Sequence, residues 1–230
     1  MLFWLLLGLA AFFVYHHLKG RPPGRPRGGA GASAARQAAR HRTPLVRIAT
    51  AAGVSTKGER TAARWSAGAE GERRTAARLE PLAAEGWTIL HDRALPGSRA
   101  NLDHFAVSPT GRVFLPDTKR YSSRYPLTVR AGRLWRGDRD ITGWLDGLRH
   151  ETRIVAEVLG VPVTALVVVD GAELRGPHGR PVPELNLPGL RIIPAESLTT
   201  VLRAAARLPG QRSRAELVTV ARRKFPPYTR

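Results

Sequence analysis

The sequence predicts an α/β domain in which a mixed β-sheet is flanked by helices. Residues 101–107 and 112–119 are two strand-like runs separated by Ser-Pro-Thr-Gly, a strong turn signal, so they are expected to form an antiparallel hairpin. Residues 161–170 (VPVTALVVVD) form a continuous apolar run, which is typical of a central strand buried on both faces of an α/β sheet. Stretches with helical composition and glycine stop signals lie before and after these strands.

The first 18 residues predict a transmembrane anchor. Residues 2–18 (LFWLLLGLAAFFVYHHL) contain no Lys, Arg, Asp or Glu and have about the minimum length of a spanning helix. Lys19 and Arg21 follow at once, whereas a secretory signal peptide has its positive charge before the apolar run. By the positive-inside rule, these charges hold the following chain in the cytoplasm, so a single-pass cell-membrane protein with a cytoplasmic domain is expected. The alternative is a buried core helix.

Residues 19–66 are expected to form a disordered basic linker, because they are rich in Gly, Pro, Ala and Arg. Positions 19 to 67 carry eleven Lys or Arg against one acid, Glu59, which is +10 of the net charge of +19. Such a balance points to polyanionic partners. Beside a membrane anchor it favours anionic lipid, at roughly 1 kcal/mol per basic residue near the surface. The charge of the whole chain is therefore weak support for nucleic-acid binding. Cysteine is absent, which excludes disulfides and thiolate metal sites.

Residues 68–87 (GAEGERRTAARLEPLAAEGW) predict the first helix of the folded core, which Pro81 kinks or shortens. Glu72 lies one turn before Ala76 and therefore shares the inward face with Ala76 and Leu79. An acid in a first helical turn is also explained by the helix dipole, so this carboxylate alone does not separate a structural from a functional role.

The predicted hairpin carries two acids and a lysine on strands that are otherwise apolar. Closing it at the turn brings Asp103 opposite Asp117 or its neighbour Pro116. The period of two along a strand puts Asp117 and Lys119 on one face. Opposed like charges destabilise a ladder, and a divalent cation reverses that effect because hard cations take carboxylate oxygens. The alternative is a structural salt bridge between Lys119 and one of the two acids.

Carboxylates around a hard metal ion suit phosphoryl chemistry, with Glu72 as the third carboxylate. The ion polarises a phosphoryl oxygen and lowers the pKa of a bound water. A lysine beside the ion orients or deprotonates that water and offsets charge in the transition state.

These residues together resemble the nuclease-related domain (NERD) family of the PD-(D/E)XK nuclease superfamily. The family pattern is Gly-Glu on a first helix, an Ile-Asp-His strand, a turn with Gly, and an acid-X-Lys strand. The chain supplies Gly71-Glu72, Leu102-Asp103-His104, Gly111 and Asp117-Thr118-Lys119 in this order. The similarity covers roughly residues 68–160, and the combined set is far more specific than a lone acid-X-Lys.

The resemblance implies a restriction-endonuclease-like fold with Mg²⁺ or Mn²⁺ as cofactor and DNA or RNA as substrate. It implies that Glu72, Asp103 and Asp117 are metal ligands, and that Lys119 is the catalytic base or positions water. Asp117 stands where Glu is usual.

Many members of the family carry a Gln on the helix after the sheet. The glutamines here are Gln37 and Gln211, so that role is empty or taken by another residue such as Asp146.

Three further residues are candidates for contact with nucleic acid. Arg120, Tyr121 and Arg124 follow the acid-X-Lys motif, and basic and aromatic side chains there suit phosphate contact and base stacking; a solvated loop is the alternative. His104 lies on the opposite strand face from Asp103, which favours a structural hydrogen bond over a ligand role.

The predicted organisation is a transmembrane anchor (1–18), a basic linker (19–66), a nuclease-like core (67–170) and C-terminal strand and helices packed on it (171–230). In the last region, Ser213-x-x-Glu216 is a capping box that opens the final helix. The favoured function is a membrane-anchored, metal-dependent nuclease. The alternatives are a catalytically inactive NERD domain that binds nucleic acid or a partner at the membrane, and a polybasic membrane scaffold whose acids are structural.

Overall fold

The computed structural model describes residues 29–51 and 53–229 of the chain. Its helices are α1 (Ala32–His41), α2 (Pro44–Ala51), α3 (Lys57–Leu79), α4 (Asp146–Leu159), α5 (Leu198–Ala205) and α6 (Arg214–Lys224). Its strands are β1 (Thr88–Ala94), β2 (Asn101–Val107), β3 (Val113–Arg120), β4 (Leu127–Arg130), β5 (Arg133–Arg136), β6 (Arg139–Asp140), β7 (Val163–Asp170), β8 (Leu174–Arg175), β9 (Leu185–Leu187) and β10 (Leu190–Pro194).

The main sheet is mixed, with six strands in the order β1-β2-β3-β7-β10-β9. Strands β1, β2 and β3 pair antiparallel, whereas β7 lies parallel between β3 and β10. The continuous apolar run is therefore the central strand, as predicted. A second sheet has the order β6-β5-β4-β8.

Alternate side chains of the main sheet pack on opposite faces, and each face is covered by helices. On one face, Phe105 and Val167 belong to a cluster with Leu148 of α4 and Leu217 of α6. On the other face, Phe114 and Leu166 pack with Leu79 of α3 and Leu198 of α5, among others. The predicted α/β domain, a mixed sheet flanked by helices, is confirmed.

The hairpin has one of the registers compatible with the turn signal. Val107 pairs with Val113 and Ala106 pairs with Phe114. The same register continued along both strands aligns Asp103 with Asp117. These two acids lie beyond the paired positions, where the strands are free to border a cavity.

The first helix of the core begins earlier than predicted. Helix α3 starts at Lys57, and the Thr56 side chain caps it by accepting a hydrogen bond from the Glu59 backbone N–H. Pro81 does shorten the helix, because it stands at the beginning of a 3-10 helix over Glu80–Glu85.

The prediction of a disordered linker over residues 19–66 is wrong for the part that the structure describes. Helices α1 and α2 and the start of α3 occupy most of residues 29–66. Helix α1 buries Ala32, Ala34 and Ala38, and its densest contacts are with α3. Alanine is the best helix former, and its small side chain lets helices approach closely. The prediction of a disordered linker considered only the low hydrophobicity of this segment and not its helix propensity.

The predicted anchor at residues 1–18 lies outside the described residues, as does the linker up to residue 28. Within residues 29–51 and 53–229, no helix combines the length and apolar character needed to cross a bilayer.

Candidate active site

A cavity of about 390 Å³ opens beside the ends of β2 and β3, between the sheet, α1, α3 and α4. Its charged lining includes the side chains of Glu72, Asp103, Asp117, Lys119 and Glu151. Each of the four residues predicted from the sequence as catalytic therefore borders the same space. Uncharged lining residues include Ser33, Gln37, Asn101 and Trp144.

Glu72 is presented to this cavity by the inward face of α3. The residue is buried, in the same stripe as Gly71, Thr75 and Leu79. Among the described residues, its Oε2 atom finds no hydrogen-bond partner. Burial, with the charges of Asp92 and Asp117, raises the pKa of Glu72 to about 7, against a smaller lowering effect of the Gly31 backbone N–H.

Asp103 is the second cavity carboxylate. Desolvation raises its pKa well above the ordinary value, and the charges of Glu72 and Asp117 raise it further. The Asn101 side-chain amide donates a long hydrogen bond of 3.5 Å to Asp103 Oδ1. Burial and the neighbouring acids therefore both favour the protonated form of this carboxyl.

Lys119 lies directly against Asp117. Its Nζ atom is 3.0 Å from Oδ1 and 2.8 Å from Oδ2 of the aspartate. Burial alone would lower the pKa of the ammonium, but the charge and hydrogen bond of Asp117, with Asp103, raise it above the ordinary lysine value. Lys119 is therefore a stable cation here, which suits orientation of water and charge compensation better than proton abstraction.

Glu151 is a fourth acid of the cavity that the sequence argument missed. Burial, followed by the charge of Asp117, raises the pKa of Glu151 to about 8. The helical period contained the signal, because Glu151 falls on the α4 stripe that buries Leu148 and Val155. Asp146, suggested as a substitute for the missing glutamine, instead has a side chain 72% exposed and pairs with Arg149 at 3.1 Å. It is not among the residues that line the cavity.

Helix α1, which the sequence predicted to be part of a disordered linker, forms one wall of the cavity. Gln37 and Ser33 of α1 border the cavity. The Ser33 backbone N–H donates to Asp92 Oδ2 at 3.1 Å, and the Asn101 amide donates to Asp92 Oδ1 at 3.0 Å. Asp92 is buried, with a left-handed φ of 48° at the position opposite Asp103, where the β1–β2 pairing is interrupted. This acid therefore ties α1 to the sheet beside the site.

His104 has the predicted structural role. Its Nδ1 atom lies 2.8 Å from Nδ1 of His91, its partner across β1 and β2. Burial, with the neighbouring His91, lowers the pKa of His104 to about 3. The ring is neutral near pH 7 and faces away from the carboxylate cavity, whose lining residues do not include it.

The three residues predicted for nucleic-acid contact have different environments. Arg120 is exposed and pairs loosely with Asp170 at 3.9 Å, and Arg124 is exposed with its guanidinium 5.4 Å from the Tyr125 ring centroid. Tyr121 is buried and stacks on Trp144, with ring centroids 6.3 Å apart. Tyr121 is therefore not an open stacking surface, contrary to the expectation.

The donor set is chemically suited to a hard divalent cation. It contains four carboxylates, one of which has a buried oxygen without a partner in the described structure. As the side chains stand, however, the part of the chain that the structure describes has no group of three or more Asp, Glu or His positioned to hold one metal ion. The Lys119 ammonium occupies both oxygens of Asp117.

A mixed sheet with an acid on one strand, acid-X-Lys on the next and a glutamate on the preceding helix defines the nuclease-like class of α/β domains. The family model of the nuclease-related domain matches residues 67–169. This part of the chain is a nuclease-related domain of the PD-(D/E)XK type. The matched range contains the four cavity acids and Lys119, whereas α1 lies outside it. No curated protein and no solved structure matches the chain.

Proposed function

We propose that this protein hydrolyses phosphodiester bonds in nucleic acid with the help of Mg²⁺ or Mn²⁺. The observation that carries the proposal is the convergence of Glu72, Asp103, Asp117 and Lys119 on one cavity inside a nuclease-related domain. Four acids at one cavity are costly for a fold unless a cation or a reaction uses them.

Glu72, Asp103 and Asp117 are the residues proposed to hold the ion, with Glu151 as a further oxygen donor. When bound, a divalent cation supplies a Lewis acid for the phosphoryl oxygen and a more acidic water. Because the acids carry raised pKa values without metal, ion binding is expected to release protons and become tighter as the pH rises.

Lys119 is proposed to orient the attacking water and to offset negative charge on the phosphoryl group. Its raised pKa supports this role, because an ammonium donates hydrogen bonds and keeps its charge throughout the reaction. Burial raises the pKa of Glu151 to about 8, so without metal this carboxyl is mostly protonated near pH 7; loss of that proton when an ion binds would make it a further oxygen donor.

The test is cleavage of single- and double-stranded DNA and RNA by the full-length protein, with and without Mg²⁺ or Mn²⁺. Wild type is expected to cut only with metal, and Asp117→Ala is expected to be inactive. Asp146→Ala, which removes an exposed acid outside the cavity, is the matched control and should keep wild-type activity. Absence of metal-dependent cleavage by the wild type between neutral and mildly alkaline pH would reject the proposal.

The second candidate is a catalytically inactive domain that binds nucleic acid or a partner. One observation favours it: Asp117 is already neutralised by Lys119, and no metal-holding group is preformed among the described residues. Such a module would retain nucleic acid after Asp117→Ala and would never cleave it, so the same assay, read for binding as well as cleavage, separates the two functions.

We also propose that residues 1–18 anchor the protein in the cell membrane with the folded domain in the cytoplasm, and that the basic residues after them contact anionic lipid. The support is the uncharged apolar run followed by Lys and Arg. Membrane fractionation tests the anchor. Recovery in the soluble fraction at low salt would reject it, and release by high salt alone would assign attachment to the basic segment.

A further inference from the structure

A second cavity, of about 510 Å³, lies beside the first one, on the small sheet. It is lined by Tyr125, Arg136, Asp138, Arg139, Ile141 and Trp144. Trp144 precedes α4 in the 3-10 helix Thr142–Leu145, and its side chain also lines the carboxylate cavity. The two cavities therefore share Trp144 as a lining residue.

The second cavity presents two aromatic rings that are partly exposed to solvent. Trp144 is 46% exposed and Tyr125 is 44% exposed. Both rings already contact arginines: the Arg139 guanidinium is 5.0 Å from the Trp144 centroid, and that of Arg136 is 5.7 Å from the Tyr125 centroid. We call Tyr125, Arg136, Arg139 and Trp144 the aromatic–arginine patch.

Ring stacking and hydrogen bonding hold the side chains of the patch in place. The buried Tyr121 ring stacks under Trp144 with an interplanar angle of 19°, and the Arg136 guanidinium is 5.6 Å from the same Tyr121 ring. Arg136 also donates to Ser122 Oγ at 2.9 Å, while its buried Nε has no partner within the described structure. The burial that prevents Tyr121 from stacking on a base makes it a support for the ring that is exposed.

We propose that the aromatic–arginine patch binds single-stranded nucleic acid and leads it to the carboxylate cavity. Flat aromatic faces stack on bases of any sequence, and arginines contact phosphates. A duplex hides its base faces within its own stack, so only an unpaired strand uses the indole of Trp144. Asp138, the one acid in the lining, is outnumbered by Arg136 and Arg139. That the bound strand continues to the acids rests on the proposed function, whereas the binding of the strand to the patch does not.

The test is the affinity of the full-length protein for fluorescein-labelled oligothymidylate, oligouridylate and a blunt duplex of equal length. Anisotropy is measured in EDTA at matched salt, so that no metal-dependent cleavage interferes. Wild type is expected to bind single strands more tightly than duplex. Trp144→Ala should weaken single-strand binding about tenfold and leave duplex binding unchanged, whereas Trp144→Phe should largely restore it.

Three further variants separate stacking from charge, and melting temperatures exclude misfolding. Tyr125→Ala removes the other exposed ring and should weaken single-strand binding in the same way. Arg139→Ala should weaken binding more than Arg207→Ala, which removes one equal charge from an exposed position after α5 that lines neither cavity. Melting temperatures of all variants should stay close to that of wild type, because the altered side chains are exposed.

Equal affinity for single strands and duplex, or single-strand binding that is unchanged in Trp144→Ala, would overturn the inference. These results are independent of catalysis. A protein that binds single strands through Trp144 but never cleaves them would reject the proposed function alone, and a protein that cleaves with metal but shows no strand preference would reject this inference alone.

Discussion

The Lys119 ammonium contacts both carboxylate oxygens of Asp117 and therefore competes with a cation for them. Lys119→Ala frees these oxygens. We expect the variant to bind Mg²⁺ or Mn²⁺ at least as tightly as wild type in a calorimetric titration, but to lose turnover by roughly 10²–10³-fold, as when a charge-stabilising donor is removed.

Asp117→Ala gives the opposite combination and serves as the comparison. It should lose both metal binding and cleavage, because it removes a ligand. If Lys119→Ala instead lost metal affinity in parallel with activity, the lysine would be organising the acids rather than acting on the substrate.

The raised pKa of Glu151 predicts that, in the absence of metal, the free energy of unfolding falls as the pH rises. Burial raises the pKa of this carboxyl from its ordinary value of 4.5 to about 8 on folding, so the folded state favours the protonated form. This contribution is fully present below about pH 4.5 and is lost as the pH rises through about 8. In EDTA, Glu151→Gln should therefore be more stable than wild type at pH 8–9, by at least about 1 kcal/mol, and similar to it near pH 4.5.

The measurement is urea unfolding of both proteins across this pH range. Glu157→Gln, an exposed position on the same helix whose side chain is 61% exposed, is the matched control. Its difference from wild type should not change with pH in this way. A constant difference for Glu151→Gln as well would show that this carboxyl titrates normally.

At the scale of elements, α1 is held against the core by close backbone approach. Gly31 precedes α1 with φ of 74°, and a Cβ atom there would lie 2.6 Å from the Ala69 backbone oxygen of α3. Gly31→Ala should therefore displace α1 and remove the backbone donor of Gly31 from Glu72. We expect faster amide hydrogen exchange over residues 32–41, because α1 loses its contact with α3. The free energy of unfolding should fall by about 2–4 kcal/mol.

Gly179→Ala is the control for backbone strain alone. Gly179 has φ of 72°, but no described atom lies within 4 Å of a Cβ built there. It should cost only about 1 kcal/mol and leave exchange in α1 unchanged. Equal exchange in α1 for the two variants would mean that the contact with α3 does not hold this helix.

At the scale of the whole molecule, metal binding should stabilise the fold by mass action. At an ion concentration about ten times the dissociation constant, the gain is about 1.4 kcal/mol, which corresponds to a rise of roughly 3–6 °C in melting temperature for a chain of this size. The full-length protein should show this rise with Mg²⁺ or Mn²⁺ in differential scanning fluorimetry, and Asp117→Ala should not.

Asp146→Asn tests whether the rise is specific to the cavity, because it removes an equal charge on α4 at an exposed position. It should retain the full shift. A shift of the same size in Asp117→Ala would indicate nonspecific ion binding elsewhere on the protein.

The hairpin, the central strand and three of the four cavity acids followed from local patterns. A turn signal between two alternating runs was enough to bring Asp103 and Asp117 to one face, and the helical period was enough to turn Glu72 inward. The helical period also places Glu151 on the buried face of α4, but the sequence analysis did not use it for this residue. Helix α1 was not predicted, because its alanines gain their stability from α3 rather than from their own hydrophobicity.

The sequence by itself determined the α/β class, the central strand, the hairpin and the identity of the nuclease-related motif, because these depend on periodicity and on neighbours close in the chain. Only the tertiary structure decided that Glu151 and α1 complete the cavity, that Lys119 rests on Asp117, and that Trp144 and Tyr125, rather than Tyr121, carry the exposed rings. These features join residues from separate helices and two sheets. Burial and charge at such a junction are set by packing between distant segments, which no local pattern specifies.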